Sequence, residues 1–91
     1  MADYPESGWD KVFDLNVKGL FFLIRDLVPL LEAAARKTDP ARVINIGSVA
    51  GIRDAGTSHP AYCASKAGQL GLTVDLAGAY GRDNVRVNAV L

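Results

Sequence analysis

The sequence predicts an α/β fold in which helices alternate with the strands of a doubly wound parallel sheet. Two short runs rich in β-branched residues, at positions 42–47 and 85–90, are typical of parallel strands buried on both faces. A long apolar helical pattern precedes the first run, and a second helical stretch joins the two. The predicted order is therefore helix, strand, helix, strand.

The first helix is predicted over about residues 7–37. Ser7 and Asp10 have the spacing of a capping box, which satisfies free amides at a helix start. Behind them, apolar residues recur at three- and four-residue steps: Trp9, Val12, Phe13, Leu20, Leu23, Ile24, Leu27 and Leu31. Pro29 is expected to kink or divide this helix, because proline lacks the amide hydrogen and clashes with the preceding turn.

The remainder is expected to form a parallel crossover of the usual right-handed kind. Residues 49–61 are rich in turn formers and predict a loop, with Pro60 suited to a first helical turn. The second helix is predicted over about residues 61–80, with Gly81 as its stop. Both helices would then lie on one face of the sheet. Parallel sheets are covered on both faces, so we expect the chain to form part of a larger domain.

Composition excludes several classes of function. The 91 residues carry a formal net charge of zero, which gives no reason to expect nucleic acid or an acidic membrane surface as a partner. The most apolar run, residues 17–31, is interrupted by charges and falls short of the ~20 apolar residues that span a bilayer. The single Cys63 cannot form an internal disulfide. We therefore expect a cytoplasmic protein without a membrane or nucleic-acid partner.

Three polar side chains suggest a reaction site. Ser48 follows the first strand, at the edge where open parallel sheets bind ligands. Tyr62 and Lys66 lie four residues apart on the next helix, so they share a face. A free phenol has a pKa of about 10, and a nearby ammonium favours its ionised form. The hydroxyl of Ser48 could hold a carbonyl oxygen while such a tyrosine protonates it. Carbonyl reduction also needs a hydride, which implies a nicotinamide cofactor.

Other interpretations of these residues stay open. A Tyr-x-x-x-Lys pair arises by chance in roughly one such chain in ten, and a serine at a strand end is often only a turn former. Ser48, Asp54 and His59 could form a hydrolase triad, but the Gly-x-Ser-x-Gly elbow is missing. Cys63 is more often a small core residue than a nucleophile. The sequence contains no cluster of metal-ligand residues.

Four motifs together resemble the short-chain dehydrogenase/reductase family, in order and in spacing. They are Asn16 within residues 15–19, the strand and serine at 43–48, Tyr62 to Lys66, and the strand at 85–90. The resemblance implies a Rossmann-like fold, NADP or NAD as cofactor and a carbonyl or alcohol substrate. It further implies a catalytic tetrad of Asn16, Ser48, Tyr62 and Lys66.

Each residue of the tetrad has an implied role. Tyr62 would be the general acid/base, and Ser48 would orient the substrate oxygen. Lys66 would lower the pKa of Tyr62 and bind the nicotinamide ribose hydroxyls, and Asn16 would hold a water that links Lys66 to solvent. The amino-acid sequence of residues 40–52 looks most similar to the 3-oxoacyl reductase branch of the family.

The resemblance also implies that residues 1–91 are a partial domain. They would be the catalytic half of an NAD(P)-binding Rossmann-like domain, without its N-terminal glycine-rich half and its C-terminal segment. We expect this chain alone not to turn over substrate. The alternative is an inactive, truncated chain, at most an interaction module.

Small residues on the second helix allow close approach to another surface: Ala64, Ala67, Gly68, Gly71 and Gly78. They either pack on the sheet or contact a partner subunit. Since the family commonly assembles through these two helices, the resemblance implies a homo-oligomer when full length.

Overall fold

The structure is a computed structural model, and it describes residues 2–54, 56 and 59–91. The predicted α/β class and the order of helices and strands are confirmed. The first helical stretch comprises α1 (Glu6–Phe13), a π-helical segment (Asp14–Gly19) and α2 (Leu20–Ala34). After it come β1 (Ala41–Ile46), a 3-10 turn (Val49–Gly51), α3 (Pro60–Tyr80), a second 3-10 turn (Gly81–Asp83) and β2 (Val85–Val90).

The two strands pair in parallel, as the sequence predicts. Ala41 lies opposite Val85, and the register continues without a break to Ile46 opposite Val90. The predicted loop holds the first 3-10 turn, and Pro60 starts α3 as expected. That loop prediction also covers positions 55, 57 and 58, which lie outside the described residues.

The start of the first helix differs from the prediction. Pro5 is the N-cap, with extended backbone (φ −76°, ψ 136°), and its carbonyl accepts hydrogen bonds from the amides of Gly8 and Trp9. Ser7 therefore lies inside α1, and no side chain caps the helix. The capping-box prediction is wrong because the helix begins at Glu6, before the serine that was expected to cap it.

The end of this helical stretch also differs. α2 is not divided at Pro29, which lies within it on the exposed side. A proline frees the carbonyl four residues earlier, and here that residue is Arg25, which is exposed. α2 ends at Ala34 instead of near residue 37. Ala35 is extended, and Arg36 and Asp39 exchange backbone hydrogen bonds of 3.0 and 3.1 Å that close a tight turn.

Asn84, and not Gly81, turns the chain from α3 into β2. Gly81 keeps right-handed helical geometry (φ −58°) and opens the 3-10 turn that follows α3. Asn84 adopts the left-handed conformation (φ 61°, ψ 31°) immediately before β2. Asparagine tolerates this conformation better than most residues. The predicted end of α3 is confirmed, because the α-helix ends at Tyr80 with Gly81 as its C-cap.

One face of the sheet carries the core. Ile24 and Val28 of α2 and Leu76 of α3 pack with Val85 and Val87 of β2. Both helices therefore lie on the same face, as the sequence predicts.

None of the described residues covers the other face. Side chains alternate along a strand, so Ile44, Ile46 and Val90 point away from the helices, and Ile46 is 70% exposed. The sheet places the carboxyl end of β1, with Ser48 just beyond it, beside α3.

Candidate functional site

Ser48 sits where β1 gives way to the first 3-10 turn. Its backbone is extended (φ −155°, ψ 147°), and its hydroxyl accepts a hydrogen bond from the amide of Ala50 at 3.2 Å. The serine therefore is a turn former, as one interpretation of the sequence held. A hydroxyl also has one hydrogen to donate. Within the described part of the chain that hydrogen has no protein acceptor, so it is available to a ligand oxygen.

Gly51 brings the Ser48 turn against α3. A β-carbon at Gly51 would lie 2.9 Å from the carbonyl carbon of Lys66 and 3.0 Å from the amide nitrogen of Ala67. Real β-carbons essentially never come closer than 3.0 Å to such an atom. The turn can thus rest on the main chain of α3 only because residue 51 has no side chain, and this contact lies at the position of Lys66.

Lys66 is tied to the end of β1. Its ammonium donates to the main-chain carbonyl of Ile46 and to Oε1 of Gln69, each at 3.2 Å. The same nitrogen lies 5.8 Å from the ring centroid of Tyr62. The predicted proximity of Tyr62 and Lys66 on one helix face is therefore present in the structure. Tyr62 is 36% exposed, and its phenol makes no hydrogen bond to any described residue.

Asn16 reaches the same turn of α3 from the first helical stretch. Its side-chain nitrogen donates to the hydroxyl of Ser65 at 3.0 Å, and Ser65 donates in turn to the main-chain carbonyl of Tyr62 at 2.9 Å. Ser65 is fully buried. The main-chain carbonyl of Asn16 accepts a hydrogen bond from Gln69 at 2.7 Å. Asn16 is thus joined to the helical turn that carries Tyr62 and Lys66.

The π-helical segment gives Asn16 this position. A π turn is wider than an α turn and is often found at functional sites. Gly19 closes the segment, and a β-carbon there would lie 2.9 Å from the carbonyl oxygen of Asp14. The sequence predicted a continuous α-helix here and gave no sign of the wider turn.

Three residues of the site were missed by sequence reasoning: Gly51, Ser65 and Gln69. Ser65 lies inside the motif from Tyr62 to Lys66, but its position in the sequence did not show that its hydroxyl would accept a hydrogen bond from Asn16. Gln69 carries a usable signal, because a polar residue three positions after Lys66 shares its helix face. Gly51 is visible only in three dimensions, where the turn meets α3.

The hydrolase triad is not assembled. The carboxylate of Asp54 accepts from the amide of Gly56 at 2.7 Å, and the Ser48 hydroxyl accepts from Ala50. No hydrogen bond among the described residues joins either of them to the exposed His59.

The described residues include no cluster of metal ligands. Across residues 2–54, 56 and 59–91, no three His, Cys, Asp or Glu side chains are grouped as a metal site requires. None of the described helices is long and apolar enough to cross a lipid bilayer. Cys63 is half-buried with a free thiol.

The small residues of α3 do not form one packing surface. A β-carbon at Gly68 would lie 3.3 Å from a methyl group of Val17, so this glycine lets α3 approach the π-helical segment. Gly71 and Gly78 face open space. Of the two alternatives that the sequence left open, packing on the sheet therefore does not hold for these three glycines.

Comparison with known proteins gives a consistent result. The whole chain, residues 1–91, matches the sequence profile described as short chain dehydrogenase. A rhamnolipids biosynthesis 3-oxoacyl-acyl-carrier-protein reductase of Pseudomonas aeruginosa is 46% identical over 90 residues, covering 99% of this chain and 35% of that protein.

Solved structures agree. The Pseudomonas aeruginosa RhlG/NADP active-site complex superposes with a TM-score of 0.88 and 47% identity, over 91% of this chain and 34% of that one. An oxidoreductase of the short chain dehydrogenase/reductase family from Brucella ovis, in complex with a partially ordered NAD, superposes with a TM-score of 0.84 and 35% identity. The match covers 97% of this chain and 37% of that one. The chain therefore spans about a third of the length of the proteins it matches.

Proposed function

This chain belongs to the short chain dehydrogenase family, and we propose that it forms the catalytic half of an NAD(P)-dependent oxidoreductase that interconverts a carbonyl and an alcohol. The observation that carries the proposal is the placement of Lys66. Its ammonium is held at the end of β1 and lies 5.8 Å from the ring of Tyr62. A proton donor and a fixed positive charge thus stand together at the sheet edge where α/β folds bind ligands.

The residues fit a nicotinamide cofactor by their donor chemistry. An ammonium has three hydrogens to donate, and Lys66 uses two of them on Ile46 and Gln69. The third is available to a ribose hydroxyl, so Lys66 would hold the nicotinamide ribose. When bound, the reduced cofactor (NADPH or NADH) would supply the hydride for carbonyl reduction, and NADP or NAD would accept it in alcohol oxidation. Both cofactors are supported, because the matching structures contain NADP in one case and NAD in another.

Ser48 and Tyr62 act on the substrate oxygen. The free hydrogen of Ser48 donates to the carbonyl oxygen and orients it, while its own oxygen stays fixed by Ala50. Tyr62 gives its proton to the same oxygen during reduction and takes it back during oxidation. The nearby ammonium of Lys66 stabilises the negative charge left on the phenol. Asn16 acts through its hydrogen bond to Ser65, as a positioning residue for this helical turn. That Asn16 also holds a water linking Lys66 to solvent remains a prediction.

The substrate class we propose is a 3-oxoacyl thioester. It is supported by the 46% identity to a 3-oxoacyl-acyl-carrier-protein reductase. A (3R)-3-hydroxyacyl-CoA dehydrogenase of Canis lupus familiaris, 36% identical over 87 residues, is named for the same functional group in its reduced form. We also propose a cytoplasmic location, with which the free thiol of Cys63 is compatible.

We propose that residues 1–91 do not turn over substrate on their own. The uncovered sheet face, with Ile46 70% exposed, supports this, because parallel sheets are covered on both faces. Two assays test the proposal. The purified chain is incubated with NADPH or NADH and 3-oxoacyl substrates, and no loss of cofactor absorbance is expected. A chimera, in which residues 1–91 replace the matching third of the Pseudomonas reductase, is expected to consume NADPH. A folded but inactive chimera would refute the proposal that residues 1–91 form the catalytic half of an oxidoreductase.

A second proposal concerns pairing of two copies through α2 and α3. Leu23, Leu27 and Leu30 recur at helical spacing and are exposed on α2. On α3, Val74 is 75% exposed and lies between Gly71 and Gly78, which face open space. These surfaces support a homo-oligomer of the full-length protein, or a pairing module if the chain is inactive. Sedimentation of the full-length protein tests this proposal. Val74→Glu should dissociate the assembly, whereas the exposed control Val49→Glu should not.

A further inference from the structure

Gln69 lies one helical turn after Lys66 on α3 and is only 7% exposed. Both polar atoms of its side chain are engaged. Oε1 accepts a hydrogen bond from the ammonium of Lys66 at 3.2 Å, and Nε2 donates to the main-chain carbonyl of Asn16 at 2.7 Å. The side chain of Gln69 therefore spans the space between two residues of the expected tetrad.

The two partners demand opposite chemistry. An ammonium only donates, so its partner must accept; a carbonyl only accepts, so its partner must donate. A primary amide is the side-chain group that offers both at a fixed separation. A carboxylate would satisfy Lys66 but would set an acceptor against the carbonyl of Asn16. An apolar side chain would satisfy neither.

The orientation of the amide follows from the same argument. Turned over, it would place its nitrogen against the ammonium and its oxygen against the carbonyl, which opposes like charges at both ends. The helix backbone of Gln69 is also secured, because its carbonyl accepts from the hydroxyl of Thr73 at 2.8 Å. Thr73 in turn accepts from the side chain of the buried Asn45 on β1. The helical turn that carries Gln69 is thus also hydrogen-bonded to β1, independently of the Gln69 side chain.

We propose that Gln69 is a positioning residue for Lys66. A lysine side chain is a flexible four-carbon stem. Without Gln69, the ammonium of Lys66 would be held only by the carbonyl of Ile46, on one side. Gln69 supplies the second acceptor and connects it to the π-helical segment. Because an amide does not titrate near neutral pH, the bridge fixes Lys66 without passing protons. Its effect on catalysis rests on the proposed function; the bridge itself does not.

Hydrogen exchange at the lysine ammonium tests the bridge in the full chain without cofactor or substrate. The sequence has four lysines, and Lys11, Lys18 and Lys37 are exposed and serve as internal references. With 15N-labelled lysine, Lys66 is expected to exchange on the order of tenfold more slowly than these three. Gln69→Leu should remove most of that difference. Gln69→Glu should retain it, because a carboxylate still accepts from Lys66.

Two further variants separate the bridge from general loosening. Thr73→Val removes a buried hydrogen bond to the Gln69 backbone and leaves the amide in place, so the exchange of Lys66 should stay slow. Lys66→Met gives a reciprocal readout if Gln69→Leu does not fold: Gln69 is the only glutamine, so its side-chain amide gives one pair of signals, which should shift and exchange faster.

The proposal is overturned if Lys66 exchanges equally slowly in Gln69→Leu, or if Lys66→Met leaves the Gln69 amide unchanged. Neither result depends on turnover. A failure of the proposed function would therefore leave this measurement intact, and a failure of the bridge would leave the proposed function standing.

Discussion

Gly51 and Lys66 are in main-chain contact: a β-carbon on the glycine would stand 2.9 Å from the carbonyl carbon of the lysine. The contact joins the turn that Ser48 caps to the helix that carries Tyr62 and Lys66. It therefore sets the separation between the two halves of the site, and this separation depends on the absence of a side chain.

Gly51→Ala is expected to lower the free energy of unfolding by about 1–3 kcal/mol, because backbone atoms of α3 would have to move. Gly71→Ala is the matched control. Nothing lies within 4 Å of a β-carbon there, and alanine in a helix is favoured over glycine by roughly 0.5–1 kcal/mol. Urea titrations of both variants should show opposite signs. Equal effects would mean that the contact does not exist.

Ser65→Ala is expected to destabilise the protein by about 1–3 kcal/mol, since it leaves the half-buried side-chain amide of Asn16 without its acceptor. Ser7→Ala is the control, because Ser7 lies inside α1 and caps nothing. Its effect should stay within about 0.5 kcal/mol. A loss of about 1 kcal/mol in Ser7→Ala, as an N-cap would give, would restore the capping box that the structure lacks.

Thr73→Val is expected to cost about 1–3 kcal/mol, although the two side chains have nearly the same shape. The hydroxyl of Thr73 accepts from the buried side chain of Asn45 at 3.0 Å, and valine would leave that donor unsatisfied. Thr38→Val, at an exposed turn position, should change stability by less than about 0.5 kcal/mol. Thermal melts followed by circular dichroism compare the two; similar melting temperatures would contradict the hydrogen bond.

A threonine in place of an aliphatic residue should lower the free energy of unfolding more on the covered face of the sheet than on the uncovered face. Val87 is buried against α2 and α3, so Val87→Thr places a hydroxyl in the core at a cost of about 1–3 kcal/mol. Ile44 lies on the uncovered face, and Ile44→Thr should cost less than about 1 kcal/mol. Urea titration of both variants measures the difference. A larger loss for Ile44→Thr would mean that the helices cover the opposite face.

Much of the fold follows from local patterns in the sequence. The bounds of β2 are as predicted, since a β-branched run between polar turns allows few other assignments. Helix ends were less predictable. Pro5 took the N-cap position from Ser7, because several residues nearby could each have served. At the other end of the crossover, Gly81 caps α3 as predicted, but the left-handed residue before β2 is Asn84.

The proximity of Tyr62 and Lys66 could be predicted from the sequence, but the hydrogen bonds that join their helical turn to other elements could not. Tyr62 and Lys66 share a face by helical spacing alone. The link from Asn16 to Ser65 spans 49 positions, and that from Gln69 to Asn16 spans 53. Such contacts depend on how α3 packs against the π-helical segment, and that wider turn follows from no propensity. Tertiary packing therefore supplied what spacing could not.

The most direct test of the central claim is the turnover of the chimera carrying residues 1–91, measured with Tyr62→Phe and Tyr80→Phe. Both tyrosines lie on α3, and phenylalanine keeps the ring while removing the hydroxyl. If Tyr62 is the general acid/base, Tyr62→Phe should lower kcat by about 10²–10⁴-fold, while Tyr80→Phe should leave it within about threefold. A folded Tyr62→Phe chimera that reduces its substrate at the unmodified rate would contradict the account.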